Sequence, residues 1–440
     1  MSYGKQMVLQ SRFDGQQKDK DEWLRARLDA LNFYKGRTKE YIIPFYSGDT
    51  LKKIEPSNIN ITKRIIDRVS LCYMVAPIRE VGNDAYYDLT KGKSFRMQKA
   101  EVYTNLLELI LIKPCFRNGG MEYDIITDFE PTFGDDPMTP ISIEYPLATR
   151  SSVKDSTPEL WSYWSADEHF IYDKNANSKK IYNPENPDNL NPYQTLPFVE
   201  IFRDGKPETY YMDTDACPDL ISQNLNINMM ASDRQANIRF QSFGYIYVTG
   251  EIDNKYLEIA PDKITKMQLD STMGVVTPPD TTRSIDECIR TSYKMLAQNY
   301  HLSTSFVDGS EQASSGVSLR IRNQELNDKR KSSLERWRDV EYELFELEKI
   351  IIQKHTGTDV GQLELVDFSE SIEVLSDEEQ RAKDDWDLSH GLIDEVDILV
   401  RRNPDWDRQD AESHLAERKK TVSNIKQKSD TPSSLFKLGA

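Results

Sequence analysis

The sequence has no apolar run near the roughly 18 residues that would carry a helix across a membrane, and its longest, Leu106–Ile112, is broken by Glu108. Its N-terminal stretch is polar and lacks an apolar signal core, so the product is expected to stay in the cytoplasm where it is made. Only four cysteines occur, Cys72, Cys115, Cys217 and Cys288, with no CxxC pair; reduced structural thiols are expected. No GxxxxGK[ST] is present, because the small residues of Gly309–Gly316 are not followed by Lys-Ser or Lys-Thr, which excludes a phosphate-loop motor. The histidines, His169, His301, His355, His390 and His414, are isolated, HExxH is absent, and so is GxSxG. Neither a catalytic residue, a metal nor a cofactor is therefore expected. The carboxylate pairs Asp135–Asp136 and Asp384–Asp385 are read as solvated faces.

Basic charge is also scarce: 56 Lys and Arg stand against 73 Asp and Glu, a net charge of −17. That excludes tight nucleic-acid binding by counterion release. On charge alone the simpler reading is a charge kept for solubility; a wall past which a polyanion slides is the other. A length of 440 residues suggests about three domains, soluble and globular.

What the chain does contain is a helical segment that breaks, near residue 300, into a polar loop and restarts as a very long helix. The loop holds Ser303, Thr304, Ser305, Asp308, Gly309, Ser310, Glu311, Gln312, Ser314 and Ser315. Such residues bury little and permit unusual backbone angles. Hydroxyls and glycines offer replaceable hydrogen bonds, while Asp308 and Glu311 repel phosphate. The helix expected over Ser318–Lys354 is about 55 Å long at 1.5 Å per residue. Its apolar positions, Leu319, Leu326, Leu334, Trp337, Leu344, Leu347 and Ile351, suit a coiled coil except between Leu326 and Leu334, where the heptad register breaks.

Upstream, helices are predicted over Asp21–Tyr34, with Trp23, Leu24, Leu28 and Leu31 on one side, over Asn58–Met74, and over about Phe95–Leu111. Short strands follow from Cys115 to Thr209; alternation is clearest at Ile141, Ile143 and Tyr145. A helix over Asp215–Ser242, a small β insert and a helix over Arg283–Tyr300 lead into the loop. In the insert, Tyr245 and Tyr247 could stack single strands, or pack between neighbouring inserts. Arg283, Arg290 and Lys294 lie on the helix entering the loop; they either touch phosphates in passing or bridge to acids of a neighbouring subunit. Ser376–Lys420 is a compact helical region, with Ser376 a candidate N-cap, and Thr421–Ala440 reads as a flexible tail.

Four motifs recur in an order that resembles the portal proteins of tailed bacteriophages. They are Phe33-Tyr34-x-Gly36; Asn60, Lys63, Ile65, Ile66 and Asp67; Asn191-Pro192-Tyr193 followed by Leu196-Pro197-Phe198-Val199; and Ser315-Gly316-Val317-Ser318-Leu319-Arg320, which opens the long helix. The resemblance spans Phe33 to about Lys420, and its specificity lies in order and spacing rather than in any single motif. It implies an α+β subunit: wing (1–214), first stem helix (215–242), clip (243–282), second stem helix (283–300), tunnel loop (301–317), long wing helix and return (318–375), crown (376–420) and tail (421–440). It further implies a homododecameric ring at one capsid vertex of the virion, serving DNA packaging and ejection. Its partners would be other copies of itself, double-stranded DNA in transit, terminase, capsid and scaffolding proteins and a head–tail adaptor, with no membrane. The loop residues would face DNA, and Tyr245, Tyr247, Lys255, Lys263 and Lys266 of the clip would dock terminase or adaptors. The crown and clip are shorter than in larger members of that family. A head–tail adaptor is the alternative, though adaptors are usually much shorter; an α+β enzyme would need motifs the chain lacks.

Overall fold

A computed structural model of the chain describes residues 22–46, 55–147, 160–174, 180–181, 186–208, 210–241, 245–249, 272–276, 281–303, 316–368, 377–403 and 407–429. Helix and sheet are mixed, as expected of an α+β chain. There are two compact units, Met1–Glu311 with Arg322–Ser371, and Gln312–Ile321 with Ile372–Ala440.

In the larger unit, helix α1 (22–34) buries Trp23, Ala30 and Phe33. The fourth residue of that buried side is Arg27, whereas Leu28, expected on it, is exposed. Arg27 can be inside because its guanidinium donates to the carbonyls of Leu107 and Thr127 and lies 4.3 Å over the Trp23 ring. Burial nonetheless pushes its pKa down, to about 9.

Helix α2 (Ile61–Val69) is shorter than expected at both ends: Asn60 caps its start, and the backbone leaves helical geometry at Ser70 (ψ 84°). Two of the sequence motifs interlock here. Asn60 caps α2 through the Lys63 N–H, and its amide donates to the Tyr34 carbonyl. The Tyr34 hydroxyl and the Lys63 ammonium both reach Asp67, each at 2.6 Å. Gly36, at φ 72°, turns the chain so that its carbonyl meets Asn58.

Strand β1 (Ile78–Val81) precedes helix α3 (Lys93–Leu107). The helix expected to reach Leu111 stops at Leu107, because Glu108 takes a left-handed conformation (φ 65°) and β2 (Leu109–Arg117) begins. Strand β2 is the centre of an antiparallel sheet between β3 (Gly120–Ile126) and β9 (Val199–Phe202). Leu109 and Leu111 enter one hydrophobic core and Ile110 and Ile112 another, so the strand is apolar on both sides. A second sheet is the antiparallel meander β4 (Glu130–Phe133), β5 (Pro140–Pro146), β6 (Leu160–Ser165), β7 (His169–Asp173) and β8 (Lys180–Ile181). Ile143 and Tyr145 are buried as alternation predicts, but Ile141 is exposed, lying against Gly134 at the strand's start.

Helix α4 (Pro218–Gln241) is followed by strands β10 (Tyr245–Thr249) and β11 (Thr272–Val276), then by α5 (Thr282–Asn299), α6 (Gly316–Thr356) and β12 (Leu363–Asp367), which pairs with β1. At 41 residues, α6 is about 60 Å long. Its buried stripe runs through positions 326, 330, 334, 337, 341, 344, 348 and 351 without a gap. Buried Arg330 fills the apolar gap between Leu326 and Leu334, but the 4-4 spacing there still departs from a heptad, and Glu341 and Glu348 are inside as well. Arg330 donates to the Leu71 carbonyl. Glu341 accepts from Arg79 Nη2 at 2.6 Å and the Tyr73 hydroxyl at 2.8 Å. Lys93 lies 3.0 Å from Glu341 and 2.9 Å from Glu348, and the Tyr86 hydroxyl donates to Glu348.

The second unit contains helices α7 (Asp377–Ser389), α8 (Glu395–Arg402) and α9 (Arg408–Ser429). Asp394 and Asp397 form a capping box on α8, and Arg408 bonds to both. Asp384 is not on a solvated face: it is buried and paired with Arg401 at 2.8 Å. The candidate cap Ser376 lies outside the described residues, and α9 continues to Ser429, past the boundary expected at 420.

Burial would raise the Glu341 carboxyl, but Lys93 and Arg79 together outweigh it and hold it at about 2. Because that value lies below the unfolded one, the carboxylate stabilises the fold fully above about pH 4.5, and the contribution, on the order of 3 kcal/mol, is lost as pH falls towards 2. Glu341→Gln should therefore lower the unfolding free energy at pH 7 by about 3 kcal/mol or more in urea melts. The gap between variant and wild type should narrow as the pH falls from 5 to 2. Equal midpoints at pH 7 would contradict the assignment.

Candidate channel and docking elements

Helices α4 and α5 run antiparallel. Asp219 at the start of α4 accepts from the Tyr300 hydroxyl just past the end of α5 (2.9 Å), Arg234 pairs with Asp286 (2.6 Å), and Asn237 bonds to Thr281 before α5 begins (3.1 Å). Leu220, Ile227, Leu296 and Ala297 are buried in the surrounding core, and Arg64 lies over the ring of Tyr293. The polar rungs lie along the pair, and the apolar burial concentrates towards the Tyr300 end.

The three basic candidates share α5. Arg283 is exposed and pairs with Glu287 one turn on, at 3.3 Å. Arg290 is exposed and Lys294 half-buried, and both have partners of their own. Both side chains of the Arg283–Glu287 pair are largely exposed, so the bond is weak and leaves the guanidinium accessible.

Between α4 and α5 in the chain, β10 and β11 form an antiparallel ribbon with Tyr245 opposite Val276 and Tyr247 opposite Gly274. The half-exposed Tyr247 ring lies across Gly274, where a Cβ would come within 2.5 Å of it; glycine is what lets the ring settle there. Thr249 and Thr272 join their hydroxyls at 2.5 Å further along the ribbon. Lys255, Lys263 and Lys266 lie outside the described residues, as do Thr304, Ser305, Asp308, Gly309, Ser310, Glu311, Gln312, Ser314 and Ser315 of the loop. Ser303 is the last described residue before it.

How the chain leaves α5 was not evident from sequence. Leu302 N–H returns to Ala297 O (2.9 Å) and His301 N–H to Gln298 O (3.0 Å), with His301 left-handed at φ 57° and Leu302 buried. This is a Schellman ending with histidine where glycine is usual. It borders a polar cavity of about 410 Å³ where the ends of α3 and α5, the start of α4 and the side of α6 meet. Two more left-handed residues flank the same joint, Glu108 and Cys217. Glu108 accepts from Asp215 N–H at 2.6 Å, and the Cys217 thiol donates to Asn105 O and receives Arg203 Nη1, both at 3.2 Å. Each such non-glycine conformation costs on the order of 1 kcal/mol, offset here by these bonds. Burial, then Cys217 and Asp219, push the Tyr300 hydroxyl up, so it remains a donor.

Among the described residues no group of His, Cys, Asp or Glu is arranged to hold a metal ion, and no helix is long and apolar enough to cross a membrane. No family model matches the chain, and no curated protein matches it.

The thiols give a direct check on which side of α5 is open. Burial pushes Cys72, Cys115 and Cys217 up, so they stay protonated and shielded, whereas Cys288 is exposed on α5. Native protein should titrate a single fast thiol with Ellman's reagent, and Cys288→Ser should remove it. Fast reaction persisting in that variant would mean that another cysteine is open.

Proposed function

We propose that this chain is a portal subunit of a tailed bacteriophage, forming a ring at one capsid vertex through which DNA is packaged and ejected. The observation that carries the reading is an order of elements: two antiparallel helices, α4 and α5, joined by Arg234–Asp286, with a small β ribbon between them in sequence, then a 41-residue helix. A paired helix that leaves one stretch of chain at each end suits a wall with a docking tip and an inner loop. In this reading the ribbon carrying Tyr245 and Tyr247 meets terminase or an adaptor, and residues 303–315 meet DNA. The acidic balance of the chain, a net charge of −17, supports passage without capture, since an attractive wall would have to release phosphate contacts at each step. The function is conduction rather than catalysis.

Two measurements test this. Electron microscopy of the purified protein should show rings with an axial opening, and a strictly monomeric species at micromolar concentration would refute the reading. Asp308→Lys with Glu311→Lys should leave rings intact but slow packaging, with the defect easing as salt screens the new charges. Packaging at the wild-type rate at both low and high salt would show that the loop does not meet DNA.

A further inference from the structure

We draw no further inference here: the strongest candidate, the exposed apolar groove of Ile78, Tyr87 and Phe95 between β1 and the start of α3, carries none because nothing in the structure shows what covers it.

Discussion

The larger unit depends on four charges removed from water together. Glu341 and Glu348 stand two turns apart on the buried side of α6, Lys93 bridges them, and Arg79 closes the set with Tyr73 and Tyr86. Each charge alone would be prohibitive to bury, but paired and hydrogen-bonded they hold one another in place. An apolar stripe could slide by a turn with little loss, because leucine packs against leucine in several registers. Charges that must meet at about 3 Å allow one register only. The network therefore positions the whole of α6 that lies in this unit, and with it the side of the cavity where α5 ends.

That cavity is the second constraint. Three non-glycine residues adopt left-handed backbone around it, held by hydrogen bonds and by the burial of Cys217 and Leu302 in the core. The Tyr300–Asp219 bond and the Schellman ending set the direction in which the chain leaves α5.

The opening helices show how loose motifs gain meaning in space. Tyr34 and Gly36 lie far in sequence from Asn60, Lys63 and Asp67, yet they make a single hydrogen-bonded knot. Asn191 does the same for a later motif, donating to Ser165 O and Thr195 O, so that Phe198 and Val199 enter the cores. These polar residues are structural devices. Their side chains satisfy backbone groups that the turns leave unpaired.

Local pattern by itself determined the α+β class, the existence of the helices around the loop, and the length of α6, because backbone periodicity and turn chemistry act over a few residues. It also placed Arg283, Arg290 and Lys294 on one helix. Other features were decided only when distant segments met. Arg27 lies inside while Leu28 lies outside, because two carbonyls and the Trp23 ring await the guanidinium. Residues 109–111 extend as strand rather than helix, because β9 supplies backbone partners along them and β3 joins from Leu111 on the other side. The apolar stripe of α6 has a gap at Arg330, and the buried positions of Glu341 and Glu348 had no signal in the sequence, since the partners of all three stand more than 200 residues earlier in the chain. A charged side chain reads as surface in any local window, and only a complementary group from elsewhere in the chain lets it enter a core.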